Sequence, residues 1–155
     1  MEVEKRRPEE VLPRIRAIME AGGSCRLLVT GGSMLPILRS EKDWVILAPC
    51  TQTPKRGDIL FYVRPSGYCV LHRVHRVLDA ERFAICGDAQ TALEMVEQRQ
   101  VVAKVSHIQR GERVISCEAP GWKLLSWFWM LTKPLRPLLM KGIGLLWRRK
   151  QRMKG

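Results

Sequence analysis

The chain has 155 residues, 46% of them hydrophobic and 27% charged, enough apolar material for one buried core and too much for an intrinsically disordered chain. Lys and Arg outnumber Asp and Glu 27 to 15, but Gly121–Gly155 holds nine basic residues and no acidic one, so residues 1–120 are close to balanced, with 18 against 15. A domain built throughout to bind nucleic acid is thereby disfavoured, and a partner for the charge belongs at the C-terminal end.

Residues 8–21 place Val11, Leu12, Ile15, Ile18 and Met19 at helical spacing before Gly22-Gly23. No apolar run precedes them, so neither a secretory signal nor an N-terminal anchor is expected. From Cys25 the pattern turns to short apolar runs. Strands are expected at 26–30, 44–48, 59–63, 68–78, 82–86, 101–109 and 113–117. Gly31-Gly32, Pro54 to Asp58, Pro65 to Gly67, Asp79-Ala80 and Arg110-Gly111 break them. Strands at this spacing, with no helices between them, predict a mostly β domain: a coiled, barrel-like antiparallel sheet. Beyond Pro120 come Trp122, Leu124, Leu125, Trp127 and Phe128, two prolines (Pro134 and Pro137), a second apolar piece and a basic end. Two amphipathic helices fit this segment. The expected organisation is an N-terminal helix over 1–24, a domain over 25–118 and a basic amphipathic tail over 119–155.

Five widely spaced cysteines without a Cys-x-x-Cys pair suggest thiols in a reducing compartment, and no ligand spacing suggests a metal or other cofactor. No run reaches the roughly 18 uncharged apolar residues of a spanning helix. The tail, residues 122–154, suits an anionic membrane surface instead: tryptophans and leucines at helical spacing enter the interface while lysines and arginines stay at the headgroups. The expected location is the cytoplasm, with a peripheral place at the inner face of the membrane. Nucleic acid is the weaker partner, because the aromatics are mixed with leucines rather than set as a stacking platform.

Three islands carry chemistry. Ser33 follows Gly31-Gly32, where a sharp turn can expose a hydroxyl among amides, although Gly-Gly-Ser also suits a plain turn. His72 and His75 lie in one strand an odd distance apart, so only one can face a site shared with Ser33. Asp88 follows Gly87 at a strand end, where a turn aspartate is also common. A serine needs a base, imidazole suits that task, and a carboxylate orients the imidazole and stabilises its cation.

The segments Gly32-Ser33-Met34-Leu35-Pro36, Lys55-Arg56-Gly57-Asp58, Val70-Leu71-His72-Arg73-Val74 and Gly87-Asp88 resemble, in order, the boxes of the S24/S26 peptidases, which include type I signal peptidases and the self-cleaving SOS repressor peptidases. A histidine in the third box is similar to the signal peptidases of archaea and the endoplasmic reticulum. The chain departs from the group in having a charged helix where signal peptidases carry an apolar anchor, and no lysine base of the repressor type. The resemblance implies that fold and a serine endopeptidase acting on a peptide or protein, in leader, precursor or signal-peptide processing. It makes Ser33 the nucleophile, His72 the base and Asp88 the assisting acid, with Glu94 an accessory acid and Met34 and Pro36 substrate contacts. The competing readings are a non-catalytic peptide-binding module on the same fold, and a membrane- or nucleic-acid-binding protein acting through its tail. With histidine as base, activity is expected to fall through an imidazole pKa of about 6.5. A body ending near Ala119 is expected to keep the Ser33 chemistry.

Overall fold

The computed structural model describes residues 3–4 and 7–154. Helix and strand contribute about 32% each, so the chain is mixed and sheet-rich. One N-terminal and two C-terminal helices supply most of the helix, while the central segment is sheet.

Helix α1 (Pro8–Glu20) has Pro at its first turn beside Glu9 and Glu10, and buries Val11, Ile15 and Met19 at four-residue spacing. It begins early enough that Pro13 falls inside the helix rather than in its first turn. Gly22 (φ +75°) ends it in the left-handed conformation that glycine adopts freely.

The strands are β1 (Val3–Glu4), β2 (Cys25–Leu28), β3 (Asp43–Ala48), β4 (Ile59–Val63), β5 (Cys69–Val77), β6 (Arg82–Cys86), β7 (Glu94–Glu97), β8 (Val101–Arg110) and β9 (Arg113–Ser116). They hydrogen-bond in the order β1-β2-β3-β8-β4-β5-β6-β7, with β9 beside β8. Every pairing is antiparallel except β1 with β2. The ladder slips by one residue within β3/β8, β4/β8 and β5/β6, where bulges bend strands and let a sheet coil.

Strand β4 is buried on both faces and divides the interior in two. Ile59 and Phe61 join the core under α1, with Val45, Leu47, Val105 and Ile108. Leu60 and Tyr62 point the other way, to Val70, Val74, Phe83, Ile85 and Val96. The period-2 alternation thus sends one strand into two cores, and the second core carries the polar residues of the site.

Helices α2 (Pro120–Leu131) and α3 (Arg136–Arg152) are joined by a 3-10 turn at Lys133–Leu135. Trp122, Ser126 and Met130 of α2, again four apart, bury one face on the body. Among the described residues, no helix is long and apolar enough to cross a membrane.

Candidate active site

The turn carrying Ser33 leaves β2 through Gly31, whose φ of +75° few other residues adopt at low cost. Beyond Ser33 the chain is pegged: Met34, Ile37 and Leu38 are buried in the α1-side core, and Leu38 N–H bonds to Met34 O at 2.9 Å. Behind them sits Asp43, fully buried. It accepts from the Arg39 amide at 2.9 Å, from the Arg39 guanidinium at 2.7 Å and from Arg110 Nε at 3.2 Å. Burial alone would raise its pKa, but the Arg39 bonds and the charge of Arg110 outweigh this and hold it below the ordinary carboxylate range. Ser33 is left half-buried, its carbonyl accepting from Ala89 N–H at 2.9 Å.

His72 stands opposite Leu60 in the β4/β5 ladder and is 3% exposed. Its Nε2 and the Ser33 carbonyl oxygen meet at Gly87. A Cβ built on Gly87 would lie 2.5 Å from Ser33 O and 3.1 Å from His72 Nε2, so a side chain there would collide with both. On the other side of the ring, Nδ1 lies 3.2 Å from Tyr62 Oη, and the Tyr62 hydroxyl donates to Glu94 Oε1. Glu94 Oε2 in turn accepts from Arg64 Nε at 2.7 Å.

This chain fixes a tautomer. Tyr62 has a single proton and gives it to a carboxylate, so its oxygen is an acceptor toward the ring and His72 Nδ1 must carry the hydrogen. Nε2 is therefore the lone-pair nitrogen, and it faces the Ser33 turn. Burial, then the hydrogen bond and charge of Glu94, raise the Tyr62 pKa, so the phenol keeps its proton. Burial pulls the His72 pKa down to about 4; Arg64 adds to this, while Glu94 and Asp88 oppose it.

Asp88 stands against Arg73 of β5. Its carboxylate is fully buried and gripped from two sides by Arg73, Nε to Oδ1 at 2.8 Å and Nη2 to Oδ2 at 2.9 Å. The place beside His72 Nδ1 that a triad would give to Asp88 is held by Tyr62, with Glu94 behind it. Neighbours in a strand point to opposite faces, and the Asp88 carboxylate is spent on Arg73, while its charge still reaches His72 and opposes the lowering of that ring's pKa. The two expected substrate contacts lie in different places. Met34 is 2% exposed and serves as a core peg at the cleft floor, while Pro36, after a cis peptide bond, lies outside the cleft lining. His75 is half-buried on β5, with Nε2 unpartnered among the described residues, and burial together with Arg136 lowers its pKa to about 4.

A cleft of about 400 Å³ opens in front of Ser33 and His72. Its walls are the β2 extension, residues 27–30, and the start of β5, residues 68–72. Glu9 of α1 reaches its margin, where its carboxylate accepts from the Cys69 amide at 2.9 Å. A cleft lined by two extended segments together with Ser33 and His72 is suited to hold an extended chain. No protein-family model matches this chain, and no curated protein is significantly similar to it.

Proposed function

We propose that the chain is a serine endopeptidase with Ser33 as nucleophile and His72 as general base, on the coiled, barrel-like peptidase fold that its ordered boxes resemble. The observation that supports this best is the orientation of His72, whose Nδ1–H is spent on Tyr62 and whose free Nε2 meets the Ser33 turn across Gly87. A peptide adds as a strand in the cleft. Ser33 Oγ attacks its carbonyl carbon while Nε2 takes the hydroxyl proton, and the collapsing tetrahedral intermediate expels the amine, which receives that proton. Water, activated by the same nitrogen, then hydrolyses the ester. Amides of the Ser33 turn hold the oxyanion, at about 3 kcal/mol per donor. Glu94, through Tyr62, holds the ring and steadies the imidazolium; Asp88 with Arg73 holds the framework.

A fluorophosphonate probe tests the assignment. Wild type should be labelled at one site and Ser33→Ala at none; equal labelling removes the nucleophile, and an unlabelled wild type leaves a peptide-binding module. The same assay reads the base. His72 must be neutral to work, so with a pKa of about 4 the rate should hold down to about pH 5 and halve near pH 4, rather than near the ordinary imidazole value of about 6.5. Stability shifts the same way: between about 6.5 and 4 the unfolded chain binds the proton and the folded one does not, so stability falls as pH drops through that window and this group costs nothing further below it. A rate that halves at pH 6.5 would mean a solvated His72.

We also propose a place for the enzyme, on the inner face of the cytoplasmic membrane. The outer faces of α2 and α3 expose Leu124, Phe128, Leu131, Leu138 and Leu146, each more than half exposed, beside Trp127 and Trp147. Lys123, Lys133, Lys141 and four basic residues over 148–152 border them, with no acid on either helix. Apolar side chains on solvent with only cations around them fit an anionic bilayer surface. Full-length protein should co-sediment with phosphatidylglycerol vesicles and be largely released at 1 M salt. Equal recovery with neutral vesicles would remove the electrostatic part of this reading.

A further inference from the structure

The elbow between α2 and α3 reaches back into the site. Arg136, the first residue of α3, is wholly buried, yet its hydrogen bonds among the described residues go to carbonyls and a thiol. Nη1 donates to Gln90 O at 2.8 Å and Gly87 O at 3.3 Å, and Nη2 to Trp129 O at 3.3 Å, with Cys86 Sγ 3.9 Å from Nη1. Trp129 Nε1–H donates to Asp88 O at 2.8 Å. Two side chains of the elbow therefore hold three carbonyls of the loop 87–90. The inner side of that loop is the site wall: Ala89 N–H holds the Ser33 carbonyl, and Gly87 abuts His72 Nε2. A guanidinium buried without a carboxylate is a costly way to fill space. Here its fork matches the carbonyls of a tight loop.

Resting on the Ser33–His72 reading, we propose that Trp129 and Arg136 are positioning residues, whose donors set the loop 87–90 against Ser33 and His72. The elbow then belongs to the catalytic body, and the chain beyond Ala119 is more than a detachable tail. Several acceptors have other donors: Gly87 O takes Gln90 N–H at 3.0 Å, and Trp129 O takes Thr132 Oγ1–H at 2.7 Å. Loss of the clamp should free the loop without unfolding the domain.

The test uses full-length Trp129→Phe, which keeps an aromatic ring and removes the N–H, and Arg136→Met, which keeps the length and removes the charge. Each should lower the fluorophosphonate labelling rate at least tenfold, while Tm stays within a few degrees of wild type and, for Arg136→Met, does not fall. The second readout is the His72 pKa, followed by NMR of the ring. Tyr62 from β4, Glu94 from β7, Arg64 and Asp88 act on this ring and are untouched in both variants, so a rise from about 4 toward 6.5 would report water entering as the loop lifts. Unchanged labelling with an unmoved pKa overturns the proposal, as does a loss of labelling that merely follows a collapse in Tm. If wild type takes no probe the peptidase reading fails, and the titration alone then decides: a raised pKa in both variants supports the clamp, and an unmoved one overturns it.

Discussion

His72→Ala is expected to slow probe labelling of Ser33 by about a thousandfold, within the range that loss of a general base produces. His75→Ala, three residues away on the same strand, should cost less than fivefold. The contrast rests on what each ring touches. His72 has Tyr62 on Nδ1 and the Ser33 turn at Nε2, whereas His75 Nε2 is buried without a partner among the described residues. Tyr62→Phe removes the acceptor that fixes the His72 tautomer, and Glu94→Gln removes the charge behind it. Each should cost about tenfold to a hundredfold, less than His72 itself because the ring is also held by its strand and by Leu60 across the ladder. If Glu94→Gln is silent while Tyr62→Phe is not, the carboxylate is unimportant and the phenol alone orients the ring. Equal losses in His72→Ala and His75→Ala would end the assignment of the base. Initial labelling rates at pH 7, on protein whose Tm is recorded alongside, settle each comparison.

The seven central strands were legible to within two or three residues because each alternates or runs apolar between turn residues, as at Ile59–Val63 and Arg82–Cys86. Strand β7 was not. Glu94–Glu97 has one buried apolar residue, Val96, and only its pairing with β6 makes it a strand. That omission mattered, since β7 brings Glu94 over Tyr62; without it Glu94 entered only through a family resemblance. Tyr62 carries its own signal in the sequence: a phenol inside a wholly apolar run must find a polar partner when buried. Whether Asp88 serves His72 or Arg73 could not be read from spacing, because both lie in one box and the choice depends on which strand face meets the loop. The tail was legible as two helices parted by prolines. Its charge pattern misled at one position: Arg136 counts as basic surface in sequence, yet the turn at Lys133–Leu135 directs it inward to the carbonyls of the loop 87–90.

Asp88→Ala should lower Tm by on the order of 10 °C. Both members of the Arg73–Asp88 pair are fully buried, with two charge-assisted hydrogen bonds at 2.8 and 2.9 Å. Removing one partner leaves a guanidinium with little water around it, at about 3–5 kcal/mol, and a domain of this size loses about 2–4 °C per kcal/mol. Among the described residues the Arg73 side chain keeps one other hydrogen bond, Nη1 to Gly57 O at 3.0 Å, too little to replace a carboxylate. The double variant Arg73→Met/Asp88→Ala removes the orphaned charge as well, so it should recover more than half of the lost stability; the shortfall in additivity measures the pair. Because Tyr62 and Glu94 orient His72, the double variant, assayed well below its Tm, should label within about tenfold of wild type. A framework role and a catalytic role for Asp88 thus predict opposite patterns. If Asp88→Ala keeps its Tm and loses a thousandfold in labelling, Asp88 is the acid that works on His72, and the Tyr62–Glu94 relay is only packing.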